Sequence, residues 1–265
     1  MTSVLKAGNA MAVAPHFLAA QAARDVMKEG GNAIEAMVAA AATIAMVYPH
    51  MTGLGGDAFW LIHEPGHQPV AIDASGGAAA GLTPSFYTSR GLHSIPVRGP
   101  LAANTIAGTV SGWERALEIS KLSWGGRLPL SRLFADAIHH AEHGVAVTAS
   151  QMRSTATKLP ELAQQPGFSK CFLSDDKPPA QHSLFFLPRM AALLRHLART
   201  GGQHGGCPFA IIVKGNRGVG GRGFTSLLHA LISSKPVGRR SEGREGGRPW
   251  RHCKFFTSKP LLCKA

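Results

Sequence analysis

Two histidines spaced one helical turn apart are the first residues in this chain whose type and spacing could do chemistry. On a helix, His139 and His143 would lie on one face, where such a pair can bind a metal ion. A zinc hydrolase of the His-Glu-x-x-His type also needs a glutamate directly after the first histidine, and Glu142 stands elsewhere. We therefore expect a solvated helix face here, with no metal and no other cofactor.

A glycine-rich segment and a serine are the other candidates. Residues 53–57, Gly-Leu-Gly-Gly-Asp, lack both the lysine of a phosphate-binding loop and the Gly-x-Gly-x-x-Gly spacing, so we predict a structural turn. Ser75 follows Asp73 by two positions, but no Gly-x-Ser-x-Gly elbow surrounds it. We therefore predict no catalytic role for Ser75, and the residues alone identify no catalytic group.

The elements that must position these residues follow from apolar periodicity. Gly30 can end a first helix in the left-handed conformation, and Asn32 with Glu35 forms a variant of the capping box for the second. That second helix is apolar all round, which is typical of a buried helix. We predict helices over residues 16–29, 32–47, 110–122, 131–143 (capped by Ser131), 148–159 and 188–198, and strands over 11–14, 58–63 and 69–73. Buried helices next to an antiparallel strand pair indicate an α+β fold.

Composition divides the chain into two parts. Hydrophobic residues make up 45% of the 265 residues and charged residues 16%, which excludes a disordered protein. Of the net charge of +13, residues 203–265 contribute +10, from 12 Lys and Arg against two Glu. The longest apolar run, residues 36–48, is too short for a membrane span, and Lys6 is not followed by the apolar segment of a secretion signal. These features predict a cytoplasmic protein without a disulfide framework or membrane partner.

An ordered set of motifs resembles the γ-glutamyltranspeptidase family, and most of all its oxamate amidohydrolase branch. The first is Gly-Gly-Asn-Ala-Ile-Glu-Ala at residues 30–36. The set continues with Tyr-Pro-His at 48–50, Gly-Leu-Gly-Gly at 53–56, Ala-Ile-Asp at 71–73, Ala-Gly-Thr-Val-Ser-Gly at 107–112, and a helix and its exit at 128–147. The resemblance covers about residues 10–200, the N-terminal part of a family proenzyme.

This resemblance implies an αββα sandwich of the N-terminal nucleophile hydrolase type, here incomplete. In the family, a threonine in the later half cuts the chain, and its hydroxyl then attacks an amide with its own α-amine as base. The cleavage site has a Thr-Thr-His-like run, and this sequence contains no Thr-Thr pair. We therefore expect residues 1–202 to be a truncated large-subunit part that is inactive alone. The resemblance leaves open whether the parent enzyme is an oxamate amidohydrolase-like hydrolase or a glutathione hydrolase-like transferase. The expected partners are a small amide substrate and a C-terminal small subunit, with a homo-oligomer left open.

Ser75 acquires a second interpretation from the family. Classical γ-glutamyl enzymes carry arginine two residues after the aspartate that matches Asp73, where it pairs with the substrate α-carboxylate. A serine hydroxyl cannot form that bidentate pair. The resemblance thus predicts that Ser75 lines the substrate pocket and that the substrate is smaller than a γ-glutamyl compound.

The tail, residues 203–265, has two competing interpretations. Residues 215–224, Gly-Asn-Arg-Gly-Val-Gly-Gly-Arg-Gly-Phe, resemble an RNA-binding Arg/Gly segment, so a non-catalytic protein that binds nucleic acid is the rival function. The interpretation that we favour is a change of reading frame near Gly202, because the family resemblance and the apolar periodicity both fade there. We expect an irregular tail with few contacts to the body, and no nucleic-acid partner.

Overall fold

The computed structural model describes residues 9–103 and 105–201, together with the backbone of two strands at residues 252–256 and 260–264. The helices described are α1 (Phe17–Lys28), α2 (Ala33–Val47), α3 (Pro84–Thr88), α4 (Thr109–Ser123), α5 (Leu130–Leu133), α6 (Ala135–His143), α7 (Ala149–Leu162), α8 (Phe168–Phe172) and α9 (Pro188–Thr200). The strands are β1 (Met11–Val13), β2 (Ala58–His63), β3 (Val70–Ala74), β4 (Val145–Ala146), β5 (Leu184–Phe185), β6 (His252–Phe256) and β7 (Pro260–Lys264). This mixture of helices and strands agrees with the predicted α+β class.

Helix α2 is the centre of the core, as its sequence predicts. All fifteen of its residues are buried, and it packs against α1, α4, α5 and α6 as well as the sheet. Its N-terminus has the predicted capping box: Asn32 Oδ1 accepts from the Ile34 and Glu35 N–H groups, and Glu35 Oε2 accepts from Asn32 N at 2.9 Å. Gly30 ends the preceding helix with φ of +88°, which glycine tolerates at little cost.

The main sheet has five strands in the order β1-β7-β6-β2-β3, and every neighbouring pair is antiparallel. The predicted hairpin is present, with Trp60 paired to Ile72 in the β2–β3 register. Helix α4 covers this pair, since a Cβ placed on its Gly112 would lie 2.8 Å from Ala74 Cβ. Within the sheet, helix α2 packs mainly on β6 and β7, whereas α1 packs on α2 and β1. The expectation that these two helices pack mainly on the β2–β3 pair is therefore wrong for both, and two strands that we did not predict lie against α2.

Those two strands belong to the basic tail. Strands β6 and β7 form a hairpin inserted between β1 and β2, with Phe59 paired to Phe256 and Val13 to Leu262. The expectation of an irregular tail with few contacts to the body is wrong for these ten residues. The expectation weighed the charge of the whole tail, whereas aromatic and aliphatic residues such as Phe255 favour strands locally. Residues 202–251 lie outside the described part of the chain, so the domain division at residue 202 stays a prediction.

The predicted helix over residues 131–143 is two helices. Ser131 does not cap it: α5 begins at Leu130 after the N-cap residue Pro129, and it ends at Leu133. Phe134 is the single residue between the two helices, and with φ of −97° and ψ of −2° its backbone stays within the right-handed helical region. Its N–H still donates to the Leu130 carbonyl at 2.9 Å. Its buried ring packs against Trp113 with the ring centres 5.6 Å apart, a tertiary contact that local periodicity does not signal.

Among the residues that the structure describes, no helix combines the length and the apolar character needed to cross a bilayer. The cytoplasmic location expected from the sequence stays a prediction.

Candidate functional site

Ser75 lies in an open cleft of about 460 Å³ beside the C-terminal end of β3. One wall is the segment from Asp73 to Ala78, and the other comprises residues 106–108 together with Ser111. The two walls are joined by a hydrogen bond from Ile106 N to the Gly77 carbonyl at 3.2 Å. The cleft therefore lies between the end of a sheet strand and the start of α4, a position in which backbone and side-chain groups can converge on a small ligand.

Asp73 and Ser75 form a tight hydrogen-bonded pair on the first wall. Asp73 Oδ1 accepts from the Ser75 backbone N–H at 2.9 Å and from Ser75 Oγ at 2.6 Å. Both side chains are exposed to solvent. Asp73 thus fixes the position of the serine that the sequence analysis assigned to the pocket lining.

Glycines let the two walls approach each other closely. A Cβ on Gly76 would overlap the Ile106 carbonyl oxygen, and one on Gly108 would overlap the carbonyl oxygen of Ala74. Larger residues at either glycine would push the walls apart, because backbone atoms cannot yield as a flexible side chain can. Ser75 lies between two residues, Ala74 and Gly76, that are both held against the second wall.

The glycine-rich segment 53–56 supports this arrangement and is the structural turn that we predicted. The Gly56 carbonyl accepts hydrogen bonds from Gly108 N and Thr109 N, each at 3.0 Å, and from Thr109 Oγ1 at 2.7 Å. The turn therefore anchors the first residues of α4, which form the second wall of the cleft.

The histidines of α6 lie apart from the residues that line the cleft. His139 and His143 are exposed and stacked, with ring centres 4.4 Å apart, and His143 Nδ1 is 3.1 Å from the His139 carbonyl oxygen. Burial, and secondarily the neighbouring His139, lower the pKa of His140, while Asp136 opposes this shift. Within the described residues, no group of three or more His, Cys, Asp and Glu side chains could hold a metal ion.

The sequence and the fold both match a known protein family. The model of the gamma-glutamyltranspeptidase family matches residues 19–205, most of the chain. The chain therefore belongs to the γ-glutamyltranspeptidase family.

Individual relatives refine this assignment. The chain is 57% identical over 191 residues to an oxamate amidohydrolase proenzyme of Klebsiella pneumoniae, a match that covers 72% of this chain and 36% of the relative. It is 36% identical to the glutathione hydrolase-like YwrD proenzyme of Bacillus subtilis, covering 72% of this chain and 35% of that protein. The matched part thus spans about a third of the length of these curated relatives.

Solved structures show the same fold. The γ-glutamyltranspeptidase of Helicobacter pylori superposes with a TM-score of 0.67 at 27% identity, covering 83% of this chain and 63% of that one. A cephalosporin acylase of Bacillus halodurans superposes with a TM-score of 0.68, also at 27% identity, covering 76% of this chain and 38% of the other. Similarity at this level supports the family fold.

The second wall of the cleft was not predicted from the sequence. Residues 107–112 were identified as part of a family motif, without a role in the site. The signal was present in the run of small residues around Gly108, because small residues often mark close approach of two backbones. The sequence alone could not show that the backbone lying against Gly108 is the segment that carries Ser75.

Proposed function

We propose that this chain supplies the nucleophile-free, N-terminal part of an amide hydrolase of the γ-glutamyltranspeptidase family, acting on a small amide such as oxamate. The observation that carries the proposal is the cleft around Ser75. None of the described residues lining it is Lys, Arg or His, so it offers no bidentate partner for an amino-acid carboxylate. The 57% identity to an oxamate amidohydrolase proenzyme supports the same substrate class.

In the proposed complete enzyme, a second sheet covers the face of β2 opposite α4 and completes an αββα sandwich. Along β2, buried Trp60 and Ile62 alternate with half-buried Phe59 and Leu61 on the opposite face. Covering these apolar side chains would remove them from water and stabilise the assembly. We propose that the C-terminal small-subunit part of the enzyme supplies this sheet.

The same C-terminal part would supply the nucleophile. The family chemistry implied by the resemblance uses a threonine hydroxyl, activated by the α-amine of the same residue, to attack the amide carbon. Ammonia then leaves, and water releases the acid from the acyl-enzyme. Because no Thr-Thr pair occurs in this sequence, we propose that the chain alone neither cuts itself nor hydrolyses amides.

Co-expression with a complementary segment tests this function. The partner is the part of the Klebsiella pneumoniae relative that follows the region matched here, and the assay is ammonia release from oxamate by the purified pair. We expect release from the pair, less from a pair carrying Ser75→Ala, and an unchanged rate with Ser89→Ala. Ser89 is a matched control, since it is an exposed serine that does not line the cleft and whose hydroxyl donates to the Phe86 carbonyl.

A reference pair made from the relative's own two parts keeps the test decisive. If the reference pair is active and the pair containing this chain copurifies yet releases no ammonia, the proposed function is wrong. Faster release from γ-glutamyl amides than from oxamate would contradict the proposed substrate class. The rival function, nucleic-acid binding through residues 215–224, falls outside the described residues and rests on their sequence alone.

A further inference from the structure

We propose that the Ser75 cleft binds an N–H donor of the substrate, a carboxamide or an ammonium group, and discriminates against a carboxylate. This inference rests on the proposed function for the statement that substrate enters this cleft. An arginine at this position would donate hydrogen bonds to a carboxylate, whereas Ser75 would accept a hydrogen bond from an N–H group. It is carried by the direction of the hydrogen bonds around the cleft.

The Ser75 hydroxyl has already used its proton. A serine hydroxyl has one donor and two acceptor lone pairs, and an ionised aspartate only accepts. The 2.6 Å contact between Ser75 Oγ and Asp73 Oδ1 therefore requires the serine to donate. What Ser75 Oγ can still offer to a ligand is an acceptor, which pairs with an N–H group.

A second hydroxyl in the cleft is committed in the same way. Ser111 Oγ donates to the Gly108 carbonyl at 2.8 Å, so this hydroxyl also retains only acceptor capacity. Asp73 adds a negative charge on the first wall, across the cleft from Ser111. The described lining residues include no cation. The side chains therefore present acceptors and one anion, which attract an amide N–H or an ammonium and repel a carboxylate.

The acceptor groups are held in place by the backbone. Because Gly76 and Gly108 bring the walls into contact on either side of Ser75, the segment 74–76 cannot swing away without breaking that packing. The Ser75 backbone N–H is also tied to Asp73 Oδ1. A preorganised acceptor pair binds its donor with less loss of conformational freedom than a mobile loop would.

The consequence for a substrate such as oxamate is a fixed orientation. Its carboxamide would lie against Ser75, and its carboxylate would point out of this cleft. Donors that hold the carboxylate must then come from the rest of the proposed complete enzyme. The specificity-determining residues of this site are thus Ser75 and Asp73, acting as acceptors.

Ligand titration of the full 265-residue chain tests the inference without any turnover. The chain is labelled with ¹⁵N-glycine, and the amide signals of Gly76, Gly77 and Gly108 are followed by NMR. The probes are oxamide, ethylammonium and oxalate, which present carboxamide, ammonium and carboxylate groups respectively. We expect at least one of the two donor probes to shift these signals at lower concentration than oxalate does.

Variants identify the residue responsible. Ser75→Ala should weaken binding of the donor probe by about twofold to tenfold, the usual range for loss of one hydrogen bond. Ser75→Arg should reverse the preference in favour of oxalate, while the matched control Ser89→Ala should leave every affinity unchanged. Donor binding that is retained in Ser75→Ala would overturn the assignment.

The outcomes separate this inference from the proposed function. If oxalate binds the wild-type chain as well as the donor probes do, backbone N–H groups set the polarity and the inference is wrong, whatever the co-expressed pair does. If the donor preference is found but the pair is inactive on oxamate, the cleft chemistry stands and the proposed hydrolase activity fails. The preference between oxamide and ethylammonium identifies which N–H donor the cleft takes.

Discussion

Glu35 is buried beneath the loop that leads into α5, and its removal is the most informative perturbation of this fold. Its side chain is 2% exposed and accepts three backbone hydrogen bonds. Oε2 accepts from Asn32 N at 2.9 Å, while Oε1 accepts from Arg127 N at 2.7 Å and from Leu128 N at 2.8 Å. One carboxylate thus caps α2 and also fixes a segment more than ninety residues further along the chain.

The expected cost follows from the number of donors that would be left unpaired. An unsatisfied, partly buried N–H group costs about 1–2 kcal/mol, so three such groups give about 3–6 kcal/mol for Glu35→Ala. Since typical folding free energies are about 5–15 kcal/mol, this variant should be close to unfolding. In Glu35→Gln the amide oxygen can still accept from Arg127 and Leu128, but the NH₂ group faces Asn32 N, so we expect about 1–3 kcal/mol.

Equilibrium urea unfolding, followed by tryptophan fluorescence, measures these losses. The matched control is Glu118→Ala, an exposed glutamate with one ion pair to Arg115, which should change stability by no more than about 0.5 kcal/mol. Should Glu35→Ala fail to fold, the glutamine variant still gives a measurable loss. A Glu35→Ala protein as stable as the control would refute the argument that this carboxylate satisfies buried donors.

Two further predictions concern the cleft wall and pH. Gly108→Ala should lower the melting temperature by several degrees, because its Cβ would overlap the Ala74 carbonyl oxygen. The control Gly55→Ala should change the melting temperature little, because there is open space around Gly55. Equal shifts in the two variants would show that the walls are not in close contact. Burial, and secondarily His140, lower the pKa of His16, which caps α1 through Nδ1. The unfolded chain then binds a proton at higher pH than the folded one, so stability should fall as pH drops below about 6.5. His16→Asn keeps a side-chain acceptor for the cap but does not titrate in this range. Chemical denaturation at pH 7.5 and 5.5 should therefore show a smaller drop in the free energy of unfolding for this variant than for wild type. An equal drop in the two proteins would contradict the linkage.

The central helix was predictable because its signals are local. The capping box at Asn32 and the glycine that ends the preceding helix act over three or four residues, and the apolar character of α2 on every face predicts burial wherever it packs. The predicted hairpin agrees with β2 and lies within one residue of β3. Ser75 was assigned to a substrate pocket from the family position; it lies in a cleft, and its role in binding substrate stays a prediction.

What could not be predicted depends on contacts between distant segments. The one-residue interruption at Phe134 coincides with the packing of its ring against Trp113, and nothing in the adjacent residues signals that contact. Glu35 Oε1 accepts hydrogen bonds from the backbone N–H groups of residues 127 and 128, which no local pattern connects to α2. The pairing of β6 with β2 joins segments almost two hundred residues apart, and the charge of the surrounding tail concealed the strand propensity of those few residues.

The central proposal is that this 265-residue chain, taken alone, carries no working threonine nucleophile, and one measurement addresses it directly. The purified chain is incubated alone with oxamate, ammonia is quantified against a heat-killed sample, and the protein mass is determined over time. The account predicts a single species of 27.9 kDa throughout and no ammonia above the control. A time-dependent split into two fragments at a threonine, accompanied by ammonia release, would show that the chain carries a working nucleophile and would contradict the account.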